Sequence, residues 1–298
     1  MRILVTGGAG FIGSQFVRAA LRGELPSGPG ARITVLDNLT YSGNRANLDP
    51  VADHPDLTFL HGDIRDPTTV DDAMTGQDAV VHFAAESHVD RSITDATPFV
   101  TTNILGTQVL LDAALRHHIG RFTHVSTDEV YGSIPHGSWT ETSPLAPNSP
   151  YAASKAASDL MVLAAHRTHG LDITLTRCSN NYGPYHFPEK MIPLFITHLL
   201  DGRKVPLYGD GHHIRDWLHV TDHTRGIDLA LHHGRPGETY HIGGGTELTN
   251  HDLTTRLLTA LGADWTHVEH VPDRKAHDQR YSLDITKTRQ QLGYHPLT

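Results

Sequence analysis

The sequence contains very little cysteine: Cys178 is the only one among 298 residues. A single cysteine excludes an internal disulfide framework and a zinc cluster built on cysteine ligands. No apolar run reaches the ~18 residues of a membrane span, and no signal-peptide pattern opens the chain. Basic residues are also few. The 24 Lys and Arg against 33 Asp and Glu give a formal net charge of −9, which disfavours nucleic acid or a membrane surface as a partner. We therefore expect a cytoplasmic protein.

Histidine, by contrast, is frequent, with 24 residues, some of them in adjacent pairs such as His212 and His213. Metal ligation usually needs ligands that converge from separated positions and are oriented by further hydrogen-bond partners. Adjacent histidines do not provide this, and no H-E-x-x-H pattern occurs. We predict no metal site.

Short β-branched runs alternate with amphipathic stretches through the first 180 residues. Such runs suit strands covered on both faces, and repeated strand–helix units require right-handed crossovers. This pattern predicts an α/β fold with a doubly wound parallel sheet of the Rossmann type. Strands are predicted at 2–6, 33–37, 57–61, 79–83, 122–127 and 173–177, and helices at 11–21 and 100–117.

Past about residue 183 the pattern changes to a smaller, mixed α/β lobe. We predict helices at 191–200, 220–233 and about 253–261, and strands at 204–208 and 240–242. The predicted domains are residues 1–182 and 183–298, with a soft boundary because such lobes often borrow segments from both halves. The connection 132–150 is long, and loops of that length are more often functional than idle.

A glycine-rich sequence, TGGAGFIG at residues 6–13, directly follows the first strand and opens a helix. Gly7 and Gly10 permit a tight turn and a close approach of the backbone to a pyrophosphate. Gly13 lets the helix pack tightly on the sheet, so that its N-terminal amides face the phosphates. With a strand before it and a helix after it, this loop predicts a dinucleotide-binding site.

Acidic residues end the next two strands. Asp37 can bind both ribose hydroxyls of an adenosine and repels a 2′-phosphate, which favours NAD over NADP as the cofactor. Asp63 and Ile64, at the end of the third strand, would flank the adenine, although Asp63 would also suit a simple turn.

Tyr151 and Lys155 stand four positions apart on a helix predicted to end near Gly170. This spacing places both side chains on one face, ~6 Å apart. A phenol is too weak a base at neutral pH, but a lysine ammonium and the positive nicotinamide ring of NAD would lower its pKa. The pair therefore predicts a base that removes a proton from an alcohol while its carbon loses hydride. Without the glycine-rich loop, a buried tyrosine and a surface lysine would be the better explanation of this pair.

Thr127, Asp128 and Glu129 follow the fifth strand, at the sheet edge where ligands bind. A dehydrogenase needs only a hydroxyl donor there, and an isolated carboxylate pair could merely cap a turn. An acid and a base together indicate proton removal at one carbon and protonation of a departing hydroxyl at the next. Crowding in a poorly solvated site raises the pKa of one carboxyl group, so one can donate a proton while its neighbour stays ionised.

Five stretches together resemble the extended short-chain dehydrogenase/reductases: TGGAGFIG at 6–13, AAESHVDRS at 84–92, STDEVYG at 126–132, Tyr151-x-x-x-Lys155 and RCSNNYGP at 177–184. Within that family the chain closely resembles the dTDP-glucose 4,6-dehydratases over residues 1–296. The Thr-Asp-Glu triplet discriminates, because sugar-nucleotide epimerases and decarboxylases resemble the chain elsewhere but lack this pair.

The resemblance implies conversion of dTDP-glucose to dTDP-4-keto-6-deoxyglucose, with NAD regenerated in each turnover. Tyr151 would take the 4-hydroxyl proton while hydride leaves C4, and Thr127 would hydrogen-bond the same oxygen. Glu129 would remove the C5 proton, and protonated Asp128 would release the 6-hydroxyl as water. Hydride then returns at C6, and Glu129 returns a proton to C5.

The same resemblance assigns binding residues. Arg215 and Arg274 suit a diphosphate, since guanidinium forks match phosphate oxygens, and Tyr208 could stack on a pyrimidine or pack in the core. For NAD the residues are Gly7, Gly10, Phe11, Ile12, Gly13, Asp37, Asn38, Leu39, Thr40, Asp63, Ile64, Phe83, Ala84, Ala85, Glu86, Ser87, Thr102, Tyr151, Lys155 and Asn181. For the nucleotide sugar they are Ser87, Thr127, Asn180, Lys190, Met191, Pro206, Leu207, Tyr208, Arg215, Asn250, Arg274, Lys275, Ala276 and His277.

Three alternatives remain at this point. A UDP-sugar 4-epimerase would not need the pair Asp128 and Glu129, and a non-catalytic NAD-responsive scaffold should have lost Tyr151 or Lys155. A UDP-glucose 4,6-dehydratase stays open, because the sequence does not distinguish thymidine from uridine. The resemblance also implies a homodimer formed through the helices at 100–117 and 151–170. The chain ends at Thr298, where members of the family usually continue with further helical sequence.

Overall fold

Seven parallel strands form the centre of the computed structural model, which describes residues 1–298. Their spatial order is β3-β2-β1-β4-β5-β6-β10, and the order reverses between β1 and β4, as in a doubly wound sheet. The predicted fold class is therefore confirmed. The strands are β1 Arg2–Thr6, β2 Arg32–Asp37, β3 Leu57–His61, β4 Ala79–His82, β5 Arg121–Thr127, β6 Ile173–Cys178, β7 Asn180–Tyr182, β8 Val205–Tyr208, β9 Ile214–His219, β10 Glu238–Ile242, β11 Glu247–Thr249 and β12 Val268–Val271.

Helices cover both faces of this sheet and bury two apolar layers. Phe16, Val35 and Ile227 belong to one layer, whereas Leu110 and Val162 belong to the other. The helices are α1 Phe11–Leu21, α2 Pro67–Met74, α3 Val89–Thr94, α4 Thr97–Phe99, α5 Thr107–Arg116, α6 Pro150–His169, α7 Met191–Leu200, α8 Val220–His233, α9 Asn250–Ala260 and α10 Thr286–Leu292. None of them is both long and apolar enough to cross a bilayer.

The predicted helix 100–117 is not one continuous α-helix. Residues Val100–Gly106 form a π-helical segment, and α5 begins only at Thr107. Asn103 lies in this wide segment, where its side-chain amide donates to the carbonyl oxygen of Glu86 at 3.0 Å and to Ser154 Oγ at 2.8 Å. We attribute the interruption to these buried bonds, which tie the segment to the loop after β4 and to α6. Widened turns of this kind often occur at functional sites.

Two small sheets form the lobe beside the main sheet. β9 lies between β7, to which it is parallel, and β11, to which it is antiparallel, while β8 pairs with β12. β9 was not predicted from the sequence because Arg215 and Asp216 stand side by side in it. Both are buried, so the strand lacks the alternation of polar and apolar residues that marks a half-buried strand.

The chain returns from the lobe to the main sheet. β10, predicted in the lobe, pairs in parallel with β6 as the last strand of the seven. α8 packs against α1 and the same sheet. We keep 1–182 and 183–298 as a proposal for the two domains, with the qualification that α8 and β10 belong to the sheet layer.

Candidate active site

A cavity of about 510 Å³ opens at the carboxyl ends of β1, β4, β5 and β6, where the strand order reverses. Of the residues predicted to hold NAD, Leu39 alone does not line it. Leu39 has a positive φ of 50°, and its N–H group donates to Asp37 Oδ1 at 2.8 Å. It therefore shapes the loop behind Asp37 and does not face the cavity.

The glycine-rich loop leaves no room for side chains. At Gly7, where φ is 70°, a Cβ atom would lie 2.6 Å from the backbone nitrogen of Ala84, and at Gly13 it would overlap the carbonyl oxygen of Gly7. Gly8, which the sequence analysis did not single out, is equally tight, since its Cβ would lie 2.8 Å from Val35 Cγ1. Helix α1 follows without a side-chain cap, so its first amides are available to a phosphate.

Two backbone hydrogen bonds fix the carboxylate of Asp37 in a position suited to binding a ribose. The carboxylate accepts from the N–H groups of Ala9 at 2.9 Å and Leu39 at 2.8 Å. Burial raises the pKa of Asp37, and these two hydrogen bonds oppose that rise. Further along the edge, hydrogen bonds from Arg65 lower the pKa of Asp63. The loop without Cβ atoms, the free helix terminus and the anchored carboxylate together fit a dinucleotide such as NAD.

Helix α6 supplies Tyr151 and Lys155. It begins directly after Ser149, whose Oγ accepts from the N–H group of Ala152 at 3.1 Å. Lys155 Nζ donates to the carbonyl oxygen of Val125 at 2.8 Å, and burial lowers its pKa to about 8. Burial, followed by the charge of Glu129, raises the pKa of Tyr151 well above its usual value. Desolvation of the phenolate thus dominates in the protein without NAD. The lowering expected from Lys155 together with the nicotinamide ring of NAD stays a prediction.

Thr127, Asp128 and Glu129 occupy the turn where β5 ends. Thr127 Oγ1 donates to Asp128 Oδ1 at 3.2 Å and accepts from the N–H group of Glu129 at 3.2 Å. Asp128 is 2% exposed. Burial and then the charge of Glu129 raise its pKa well above the usual value. Burial also raises the pKa of Glu129, but the charges of Lys190, Arg215 and Arg274 oppose this rise. Asp128 is thus the better proton donor and Glu129 the better base.

A second cavity, of about 210 Å³, adjoins the first. Glu129, Asn180, Lys190 and Met191 line both cavities. Among the residues predicted to bind the nucleotide sugar, Ser87 and Thr127 line only the first cavity, whereas Pro206, Leu207, Tyr208, Arg215, Asn250, Arg274 and His277 line only the second.

Lys275 and Ala276 do not belong with this set. Both are exposed and line neither cavity. Ala276 has a positive φ of 50°, so the turn directs the chain away from the wall between Arg274 and His277. The structure therefore does not bring these two predicted residues to the site.

The long cations of the second cavity already have partners. Arg215 donates to the carbonyl oxygens of Ile214 at 2.7 Å and Asp278 at 2.8 Å. Lys190 Nζ donates to the carbonyl oxygen of Ser87 at 3.1 Å. Arg274 is paired with a carboxylate and lies over the ring of Tyr208, 5.2 Å from its centre. Tyr208 is only half buried, so it lies in the cavity wall and not in the core.

Several lining residues were missed by the sequence analysis. Glu189 stands next to Lys190 in the sequence and lines both cavities, so adjacency could have indicated it. Trp217 also lines both cavities, but it lies on the unpredicted strand β9. His186 stacks on Phe11, with ring centres 4.4 Å apart, and Asp90 lines the second cavity. Asp90 lies in the stretch 84–92 that carries the resemblance, although no role was predicted for it there, whereas no local pattern pointed to His186.

One histidine cluster borders the second cavity. The ligand atoms of His213, Asp273 and His277 lie within 4.8 Å of one another. The charges of Arg215 and Arg274 contribute, after burial, to lowering the pKa of His277 to about 4. The same positive charges disfavour a cation. The absence of a metal site stays a prediction.

Known proteins resemble this chain over its whole length. It matches the family described as GDP-mannose 4,6 dehydratase over residues 4–298. A dTDP-glucose 4,6-dehydratase of Streptomyces niveus is 65% identical, covering 99% of this chain and 88% of the relative. A dTDP-glucose 4,6-dehydratase of Streptomyces venezuelae, solved with NAD bound, has a TM-score of 0.99 at 63% identity and covers 100% of this chain and 92% of that one.

The same architecture occurs in a UDP-glucose 4-epimerase. The enzyme of Thermus thermophilus, solved with NAD, has a TM-score of 0.90 at 32% identity, covering 99% of this chain and 94% of that one. The backbone is thus common to dehydratases and epimerases, whereas the sequence is much closer to the dehydratases.

Proposed function

The chain belongs to the GDP-mannose 4,6 dehydratase family, and from that membership, together with its dehydratase relatives, we infer that it converts dTDP-glucose to dTDP-4-keto-6-deoxyglucose. It is an NAD-dependent hydro-lyase. NAD, when bound, accepts a hydride from C4 of the sugar and returns it at C6, so the overall reaction loses one water without net oxidation.

The observation that carries this function is the buried pair Asp128 and Glu129 in the same cavity as Tyr151 and Lys155. An epimerase needs only the removal and return of hydride at C4, and has no use for a second acid and base. A non-catalytic binding protein would have no use for Tyr151 and Lys155. The opposed charge environments of the two carboxyl groups support an elimination.

We propose the following roles for the side chains. Tyr151, as phenolate, accepts the proton of the 4-hydroxyl, and Thr127 hydrogen-bonds the same oxygen. Lys155, held against the carbonyl oxygen of Val125, adds the positive charge that favours the phenolate. Once C4 is a ketone, the C5 proton becomes acidic, because the carbanion left behind is delocalised onto the ketone oxygen.

Glu129 and Asp128 then complete the elimination. Glu129 accepts the C5 proton, and the C5 electron pair forms the C5–C6 double bond as the 6-hydroxyl leaves. Asp128 donates its proton to that hydroxyl, so that water departs as a neutral molecule. Glu129 later returns a proton to C5. Tyr151 does not return its proton to the sugar, because the product keeps its 4-ketone. Before the next turnover Tyr151 therefore loses that proton to solvent and Asp128 takes one up. Each well-placed acid or base is worth typically ~10²–10⁴-fold in rate.

We propose the second cavity for the nucleoside diphosphate. Lys190, Arg215 and Arg274 offer three positive charges within it, and Tyr208 offers an aromatic face at its wall. The predicted contacts of Lys275 and Ala276 are not carried into this proposal. Thymidine is favoured over uridine by the names of the most similar relatives.

A homodimer is proposed on the exposed apolar side chains of two neighbouring helical segments. Val100 and Leu105 are 50% and 53% exposed on the π-helical segment, and Leu160 is 56% exposed on α6. Large apolar side chains clustered at one surface usually mark an interface. Sedimentation of the protein beside a Leu160→Glu variant tests this: we expect a dimer that the charge dissociates, and a monomeric unsubstituted protein would contradict it. A cytoplasmic location is proposed because the single cysteine, Cys178, forms no disulfide within the chain, and cell fractionation tests it.

The function is tested by incubating the protein with dTDP-glucose carrying deuterium at C4. We expect a product lighter than the substrate by one water, with the deuterium in the new methyl group. UDP-glucose serves as the competing substrate and should react more slowly. Recovery of an unchanged mass with inversion at C4 would instead identify an epimerase, and faster turnover of UDP-glucose would reassign the nucleotide.

A further inference from the structure

We infer that Asp90 competes with the diphosphate of the substrate for Arg274, and that this carboxylate thereby sets the affinity of the second cavity for nucleoside diphosphates. The inference rests on the proposed function for one point, namely that the second cavity takes a nucleoside diphosphate. Neither the catalytic residues nor the predicted binding residues include Asp90.

The geometry places Asp90 on the face of Arg274 that a phosphate would use. Arg274 Nη2 donates to Asp90 Oδ2 at 2.9 Å, and Arg274 Nε lies 2.7 Å from Asp90 Oδ1. The Tyr208 hydroxyl donates to the same carboxylate at 3.4 Å. All three side chains line the second cavity. The Nε–Nη2 edge is the one that binds carboxylate or phosphate in a two-pronged manner. Asp90 already lies against it, with a hydrogen bond from Nη2 and an ion-pair contact at Nε.

The two binding partners cannot share that edge without cost. If the diphosphate binds the remaining N–H groups of Arg274, its oxygens lie close to a carboxylate, and like charges repel at such distances. If the diphosphate takes the Nε–Nη2 edge, Asp90 must give up both contacts. In either case part of the affinity for the ligand is offset by the presence of Asp90.

The other two cations of the cavity differ in this respect. Arg215 donates to backbone carbonyl oxygens, and Lys190 also donates to one. Carbonyl groups carry no net charge, so these partners do not repel a phosphate. Asp90 is therefore the carboxylate that pairs directly with a phosphate-binding cation of this cavity. Glu129 in the same cavity has the separate role of a base, and Glu189, which also lines it, pairs with Arg91 at 3.0 Å.

The pair also bridges two parts of the fold. Asp90 lies on α3, which follows β4 of the main sheet, whereas Arg274 lies on the segment after β12 of the lobe. Exchange of Asp90 for a diphosphate would replace a contact between sheet and lobe by contacts through the ligand. Asp90 would then favour release of the diphosphate ligand as well as oppose its binding.

A simple positioning role would have the opposite sign. If Asp90 only held Arg274 in place for the diphosphate, its removal would weaken binding. The Asp90→Asn variant separates the two roles because it keeps the size of the side chain and removes its charge.

The test is calorimetric titration of the NAD-bound protein with dTDP and with thymidine. For Asp90→Asn we expect dTDP to bind about three- to tenfold more tightly, the range of a partly exposed ion pair, with slower dissociation. Thymidine, which has no phosphate, should bind as before. Asp71→Asn is the matched control, since that carboxylate holds Arg116 on the surface and should change nothing. Asp90→Ser provides a second variant should the asparagine variant unfold.

If the unsubstituted protein binds dTDP and Asp90→Asn binds it equally or more weakly, the inference about Asp90 is overturned while the proposed function stands. If the unsubstituted protein bound no dTDP, the proposed function would fall together with it. Tighter binding of thymidine in the variant would also count against the inference, because the gain would then not depend on phosphate.

Discussion

The two adjoining cavities are built by different means. The first is shaped by backbone and by short acidic groups: the loop at Gly7 and Gly13, the anchored Asp37, buried Asp128 and half-buried Glu129. The second is lined by long cations, each of which already holds another group of the protein. Desolvation raises the pKa values of the carboxyl groups in the first cavity. In our proposal the chemistry belongs to this cavity, whereas the second recognises phosphate by exchanging the partners of its cations.

The sharpest way to break this comparison is to neutralise a carboxyl group of the first cavity. For Asp128→Asn and Glu129→Gln we expect overall turnover to fall by ~10²–10⁴-fold, since each removes one proton-transfer group. Oxidation at C4 should still occur, because Tyr151 is untouched, and absorbance of the reduced cofactor together with product mass spectrometry would detect the stalled state. Glu269→Gln, at an exposed carboxylate, is the control. Product release at the full rate by both variants would refute the acid and base roles.

Adding a methyl group to the glycine-rich loop tests whether the first cavity depends on a close approach of the loop backbone to the dinucleotide. In Gly13→Ala the new methyl group would overlap the carbonyl oxygen of Gly7. We expect affinity for NAD to fall about tenfold to a hundredfold, the equivalent of ~1–3 kcal/mol of overpacking. NAD retained after desalting is the readout.

Alanine substitutions at two other glycines serve as comparisons for Gly13→Ala. At Gly10 the added Cβ would lie 3.3 Å from the Gly7 carbonyl oxygen, and at Gly120, outside the cavity, it would lie 3.3 Å from that of Asp78. Gly10→Ala should lose less NAD than Gly13→Ala, and Gly120→Ala should lose none. Equal losses in all three would point to general destabilisation instead.

Removing a cation tests how far the second cavity influences the first. Arg215→Met should raise KM for the nucleotide sugar by about tenfold, the loss expected for one charge-assisted contact. Glu129 must be ionised to accept a proton, and the charge of Arg215 helps to lower its pKa. The variant should therefore lose activity at a higher pH on the acid side of its pH profile. If KM changes but the acid side of the pH–activity profile does not shift, the two cavities act independently.

The smallest effect is expected at the exposed rim of the first cavity. Arg65 pairs with Asp63, and hydrogen bonds from Arg65 lower the pKa of that carboxyl group. Exposed ion pairs are typically worth ~0–1 kcal/mol, so Arg65→Gln should change NAD affinity by less than about fivefold. Titration of the NAD-free protein measures this. A loss as large as that of Gly13→Ala would mean that rim contacts matter as much as the loop.

The first cavity could be predicted from the sequence because its residues come in short motifs at strand ends. Once the strands are placed, Asp37 and Thr127 must lie at one edge of a parallel sheet. Tyr151 joins them because the helix that carries it begins at that edge. The second cavity could not be predicted in this way. Asp90 and Arg274 are 184 positions apart, and no periodicity relates α3 to the segment after β12.

The resemblance assigned some binding residues as consecutive stretches, and these assignments did not match the cavities where the chain turns. Lys275 and Ala276 lie between two residues that do line the second cavity, yet successive side chains in a turn point in different directions. Leu39 failed for the same reason, since its positive φ turns it behind Asp37. The burial that raises the pKa of Tyr151 could not be predicted either, because a sequence gives spacing along a helix but not the depth of burial.

The return of the chain through α8 and β10 has a consequence for protein engineering. A cut between residues 182 and 183 would strip the last strand from the sheet and leave the hydrogen-bonding edge of β6 bare, which is a template for aggregation. An exchange of substrate specificity with a related enzyme therefore needs two separate inserts, one on each side of 220–242. The intervening stretch has to stay with the sheet that it completes.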